Sequence, residues 1–192
     1  SGNATVTNTV CLSLSGGRAI EISQPGTMTL TNVTARSKFY PAVRITNQGP
    51  PCAPASVAIA NAIVSSRSTF APPLWANPNT LPGPCALALS LRASSVPTRD
   101  VGMTVTLTET GMVAEAPTYA DATAVRPGRT SSTVNRGSTD ADDLARAGLF
   151  DLDGADRVQG GRIDVGAYEY AEGVVAPPAP VAPGDQIGRA HV

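Results

Sequence analysis

Over the first hundred or so positions, apolar and small polar residues alternate in short runs, and the runs recur. Thr5-Val-Thr-Asn-Thr-Val10 lies under Thr29-Leu-Thr-Asn-Val-Thr34 and Ala58-Ile-Ala-Asn-Ala-Ile63, setting Asn8, Asn32 and Asn61 at intervals of 24 and 29 residues. A second run repeats independently: Ala19-Ile-Glu-Ile-Ser23 matches Ala42-Val-Arg-Ile-Thr46 at an offset of 23. Two strand patterns sharing one period in the twenties read as stacked coils of a β-solenoid, in which no coil can bury its inward face without a neighbour. Side chains alternate across a strand, so Ile20, Ile22, Val43 and Ile45 point inward and Glu21 and Arg44 stand outside on adjacent coils. Such an exposed ion pair is worth about 0–1 kcal/mol. The asparagines are expected to form an inward amide ladder at one corner, each side chain bonding to the next coil.

Between residues 65 and 84 the alternation gives way to a proline-rich stretch, SSRSTFAPPLWANPNTLPGP, expected to be a loop ejected from a coil. Trp75, the only tryptophan, falls within it beside Phe70 and Leu74, as either loop packing or a platform for a sugar or a partner. Cys52 precedes the stretch and Cys85 follows it. A disulfide between them would close the loop and contribute on the order of 3–4 kcal/mol, with Cys11 left as a small core residue. Alternation resumes at Ala86–Leu91 and Met103–Thr108, completing a coil region over residues 1–110.

Composition supports an all-β reading: charged residues are 15% and aromatics 4% of 192 positions, and Thr, Ser, Val, Gly and Pro favour short strands and turns over amphipathic helices. A formal charge of −1, with Lys38 the only lysine, argues against nucleic acid as a partner. No apolar run is long enough to span a membrane, and the cysteine spacing fits no metal or cofactor site.

The densest constraints lie in Phe150–Tyr170, FDLDGADRVQGGRIDVGAYEY. With Met28-Thr-Leu-Thr-Asn32, Val125-Arg-Pro-Gly128 and Val134-Asn-Arg-Gly137, this segment resembles the closing region of bacterial right-handed parallel β-helix surface proteins, catalogued as the choice-of-anchor Q type. The resemblance covers most of residues 1–170 and departs at Arg129–Val134. It implies a right-handed parallel β-helix, an extracellular or cell-surface location and an anchor specified further on, with no single shared activity. Residues 111–170 would then be the closing segment, covering the unpaired backbone of the last coil with apolar contact from Val165, Ala167 and Tyr168. Residues 171–185 would be a proline-rich spacer. Gln186–Val192, QIGRAHV, resembles a translated sequencing adapter and is expected to be foreign to the natural chain.

Two chemistries compete for the closing segment. In one, Asp151, Asp153, Arg157, Arg162 and Asp164 form a salt-bridged clasp over the end of the solenoid. In the other, Asp151, Asp153 and Asp156 hold calcium, although the sixth and twelfth positions of an EF-hand loop are not met. The clasp is preferred because two arginines share the motif. For catalysis the coils offer only Glu21, Arg44, Lys38 and Arg36, a thin constellation for acid–base work. The expected function is therefore a non-catalytic, monomeric, adhesin-like scaffold binding a polysaccharide or a surface protein through Glu21, Arg44 and Trp75. The alternative is the tail of a polysaccharide lyase or hydrolase whose active site lies in upstream coils.

Overall fold

A computed structural model describes residues 2–23, 26–47, 53–77, 85–120, 125–159 and 161–170. Cys52, Gly160, the proline-rich spacer, the last seven residues and the second part of the proline-rich stretch lie outside the described residues.

The described chain is strand-rich and every strand pairing is parallel. The first sheet takes β1 (Asn3–Ser13), β3 (Thr27–Ser37), β5 (Ala55–Ala60), β8 (Leu87–Arg92) and β10 (Val105–Thr110) in that order, with β6 (Ile63–Ser66) paired to the second half of β3. The second sheet takes β2 (Ile20–Ser23), β4 (Val43–Thr46), β7 (Leu74–Ala76) and β9 (Arg99–Val101). After β1 the chain reaches β2, then β3, then β4, so successive traverses add one strand to each sheet.

Period-2 alternation sorts the side chains as the sequence predicts. Met28, Val57, Leu89 and Leu107 share one register row, and Leu30, Ile59 and Leu91 share another. These meet Ile22, Val43, Ile45, Leu74 and Ala76 of the second sheet in one apolar cluster. Burying a Leu, Ile or Val contributes about 1.5–3 kcal/mol, which is how strands of three or four residues hold in place. At the last traverse the interior rows turn charged. Arg99 continues the row of Leu74, Glu109 continues the row of Leu91, and the two form an ion pair.

The first sheet itself turns at a repeated bend, which falls inside β1 and β3 and between β5 and β6. Asn8, Asn32, Asn61, Ala93 and Gly111 occupy equivalent positions on successive traverses, and all have φ between 44° and 61°. Asparagine tolerates this left-handed region better than other non-glycine residues, and glycine adopts it freely. Asn32 Nδ2 donates to Asn8 Oδ1 at 3.2 Å, and Asn61 Nδ2 donates to Asn32 Oδ1 at 2.5 Å. The expected ladder is present, but it does not face inward. Its remaining bonds run to the C-terminal segment: Asn8 Nδ2 to the Ala147 carbonyl, Asn61 Nδ2 to the Asp164 carbonyl, and Ser138 N–H to Asn61 Oδ1.

Residues 133–159 and 161–170 accordingly dock along the side of the strand stack, against the bend, and not over its end. Val165 is buried with Ile63 and Val113, and Ala167 N–H bonds Thr34 Oγ1 at 3.0 Å. Gly166, at φ 108°, brings its backbone so close that a Cβ there would lie 2.8 Å from Thr34 Oγ1 and 2.9 Å from Ile63 Cδ1. Among the described residues β10 pairs with β8 alone, so the expected cover over the last strand is not seen. The acidic run at Asp140 opens the only helix among the described residues, α1 (Ala141–Ala147), with Asp140 capping the N–H groups of Asp142 and Asp143.

Candidate functional site

Glu21, Arg44 and Trp75, the binding residues expected from sequence, lie in one row. Register pairs Glu21 with Arg44, Arg44 with Trp75 and Trp75 with Asp100, across four consecutive strands of the second sheet. Each is flanked within its strand by inward residues, which turns the row outward. Arg44 reaches Glu21 Oε1 at 2.6 Å, and its guanidinium carbon sits 5.0 Å from the Trp75 ring centroid. Arg18 adds a second contact to Glu21 at 3.4 Å and lies 5.9 Å from the ring of Tyr40. The strip thus offers a half-buried indole held on one side by a cation, with carboxylates at both ends of the row. Such a row can stack an apolar ring face while donating and accepting hydrogen bonds on either side.

Trp75 does not belong to an ejected loop. Leu74-Trp-Ala76 is a strand, with Leu74 and Ala76 fully buried, because pairing with β4 and β9 overrides the surrounding prolines. Sequence reasoning missed Asp100 and Arg18. The signal was present in Leu74-Trp-Ala76 and Arg99-Asp-Val101, which repeat the apolar–outward–apolar frame of Ile20-Glu-Ile22 except where Arg99 closes the interior. Arg36 and Lys38 do not join this face: Arg36 is buried at the end of β3, with its guanidinium carbon 4.2 Å from the Tyr119 ring centroid.

The C-terminal segment brings its charged residues together differently from the expected clasp. Asp151 is a backbone organiser: Oδ1 accepts from the N–H groups of Asp153 and Ala155, and Oδ2 accepts from Glu169 N–H. Asp153 turns to Arg126, whose Nε and Nη2 lie 2.6 and 2.5 Å from its carboxylate. Arg162 donates to the Gly137 carbonyl. Arg157 is the buried centre, paired with Glu169 at 3.3 Å and donating to Asn8 Oδ1 at 2.5 Å and to the carbonyls of Gly166 and Ala167. Asp164 accepts from Asn135 N–H at 2.7 Å and Tyr170 N–H at 2.6 Å. Its pKa is raised, chiefly by burial, against those two bonds. Glu169 is pushed from 4.5 to about 8, first by burial and then by the Asp164 carboxylate, with Asp164 N–H and Arg157 opposing.

Asp151 spends both oxygens on amides, Asp153 faces Arg126, and no group of three or more candidate ligand side chains converges among the described residues. Cys85 is disulfide-bonded and Cys11 is free, while Cys52, the expected partner of Cys85, is not among the described residues. No helix among the described residues is long and apolar enough to cross a membrane. Comparison of the chain with protein-family models, with curated proteins and with solved structures finds no match.

Proposed function

We propose that the two parallel sheets are faces of a right-handed β-helix closed by a choice-of-anchor type segment. On this reading the chain is an extracellular, adhesin-like scaffold of a bacterial surface. The outer face of the second sheet is its glycan-contacting strip. The carrying observation is the single outward row of Glu21, Arg44, Trp75 and Asp100, in which an indole is held between charged neighbours on a rigid parallel sheet. A pre-ordered aromatic flanked by charges can bind a saccharide ring with little loss of side-chain entropy.

Trp75 is the only tryptophan, so its intrinsic emission reports the strip directly. Titrating the full chain with a panel of soluble oligosaccharides should shift that emission for at least one member. Trp75→Ala should abolish the binding seen by calorimetry, and Arg44→Ala should weaken it by about tenfold, the scale of one lost charged contact. An emission unmoved by every saccharide, or full affinity in Trp75→Ala, would overturn the reading.

A further inference from the structure

A second concave site lies away from the strip, where the end of β3, the end of β6 and the residues just before β7 and β9 meet residues 116–119. It is a cavity of about 310 Å³, at the small end of the roughly 300–1,000 Å³ usual for small-molecule sites. Its polar lining includes Arg36, Ser65, Arg67, Thr98 and Tyr119, and among the described residues no carboxylate lines it. Pro73, Pro97 and Pro117 form part of its walls, and fixed proline backbones leave little to be ordered on binding.

Arg36, Tyr119 and Ser65 are held in place before any ligand arrives. Arg36 lies over the Tyr119 ring at 4.2 Å, and the Tyr119 hydroxyl is 2.7 Å from Ser65 Oγ. Tyr119 is itself fixed by a short antiparallel bridge to Pro127, by Ala120 N–H to the Arg126 carbonyl and by Gly128 N–H to the Thr118 carbonyl. Arg67 is exposed and close enough to Tyr119 to act on its hydroxyl electrostatically.

We propose that this groove binds a carboxylate-bearing sugar ring of an acidic saccharide. The planar guanidinium of Arg67 matches a carboxylate with two parallel N–H donors. Hydroxyls on Ser65, Thr98 and neighbouring serines both donate and accept, which suits ring hydroxyls that do the same. The Arg36–Tyr119 pair forms a floor on which a ring can lie. This site is independent of the strip on the second sheet and stands whether or not that strip binds glycan.

The test is calorimetric titration of the full chain with three probes: a hexuronate trisaccharide, the corresponding neutral hexose trisaccharide, and inorganic sulfate. The hexuronate should bind at least about tenfold more tightly than the neutral sugar, as expected for a charge-assisted contact. Arg67→Ala should remove that difference, and Arg67→Lys should restore part of it, because lysine supplies the charge without the fork. Tyr119→Phe, which keeps the ring and loses the hydroxyl bond to Ser65, should weaken the hexuronate less than Arg67→Ala does. Trp75 emission should stay unchanged throughout. The proposal is overturned if the acidic and neutral sugars bind alike or neither binds. Sulfate matching the hexuronate would make this a simple anion site, and hexuronate binding that moves Trp75 emission and ignores Arg67 would assign the ligand to the strip.

Discussion

On the outer face of the second sheet Arg44 meets Glu21 at 2.6 Å with side chains 27% and 42% exposed, whereas Arg157 meets Glu169 at 3.3 Å with side chains 2% and 1% exposed. The shorter pair is the weaker one. Water and salt screen Arg44 and Glu21, so their attraction adds about 0–1 kcal/mol to folding and their charges remain available to a ligand. Arg157 and Glu169 have lost their hydration and depend on each other, on Asn8 and on two carbonyls. Removing one partner there strands the rest in a dry interior. The same residue types stay open to solvent in one place and hold the chain together in the other, and burial decides which.

The largest effect expected from this contrast is at Arg157. Arg157→Ala should cost about 3–5 kcal/mol, because it orphans Asn8 Oδ1 and two buried carbonyls as well as the Glu169 carboxyl, which with a pKa of about 8 is largely protonated at neutral pH. Urea unfolding of the full chain checks it, and a loss under about 1 kcal/mol would place the pair with the surface ones. Next is Asn61, whose amide joins Asn32, the Asp164 carbonyl and Ser138 N–H at a φ of 53°. Asn61→Ala should cost about 2–4 kcal/mol, combining an orphaned buried donor with strain in the left-handed region. Asn61→Gly relieves the strain alone and should recover about 1 kcal/mol of it.

A pH dependence separates the regions further. Because the Glu169 pKa rises from 4.5 to about 8 on folding, its stabilising contribution is fully present below about pH 4.5 and is lost as the pH rises through about 8. Melting temperature should therefore fall across that window, and Glu169→Gln should flatten the slope. An equal slope in the variant would remove Glu169 from the account. The smallest effect belongs to the strip: Glu21→Ala should change stability by less than about 1 kcal/mol, measured by the same unfolding curves, and a larger loss would make the row structural.

The parts of this architecture that sequence reveals are those in which one residue type repeats at a nearly fixed offset. Ile20 and Ile22 against Val43 and Ile45 name the interior, and the pairing of Glu21 with Arg44 follows from alternation alone. Trp75 was hidden because its strand is three residues long and set among prolines; its neighbours in space, not its own propensity, make it a strand. The ladder was legible in position but not in direction, since what satisfies Asn61 lies 103 residues further along the chain, at Asp164. The clasp residues were legible as a set, but their partners were not. Nothing local indicates that Asp153 reaches Arg126 or that Arg157 reaches Glu169.

The bend at Asn8, Asn32, Asn61, Ala93 and Gly111 carries an engineering consequence. Those corners are stacked in register although neighbouring ones are separated by as few as 18 residues, from 93 to 111, and by as many as 32, from 61 to 93. Chain length between corners is therefore free to vary while the corner geometry is not, and lengthening a surface connection costs little entropy. Foreign peptides grafted between β1 and β2, where Leu14, Ser15 and Gly16 are exposed, should be displayed without disturbing the stack, which makes the chain a candidate chassis for presenting ordered arrays of epitopes.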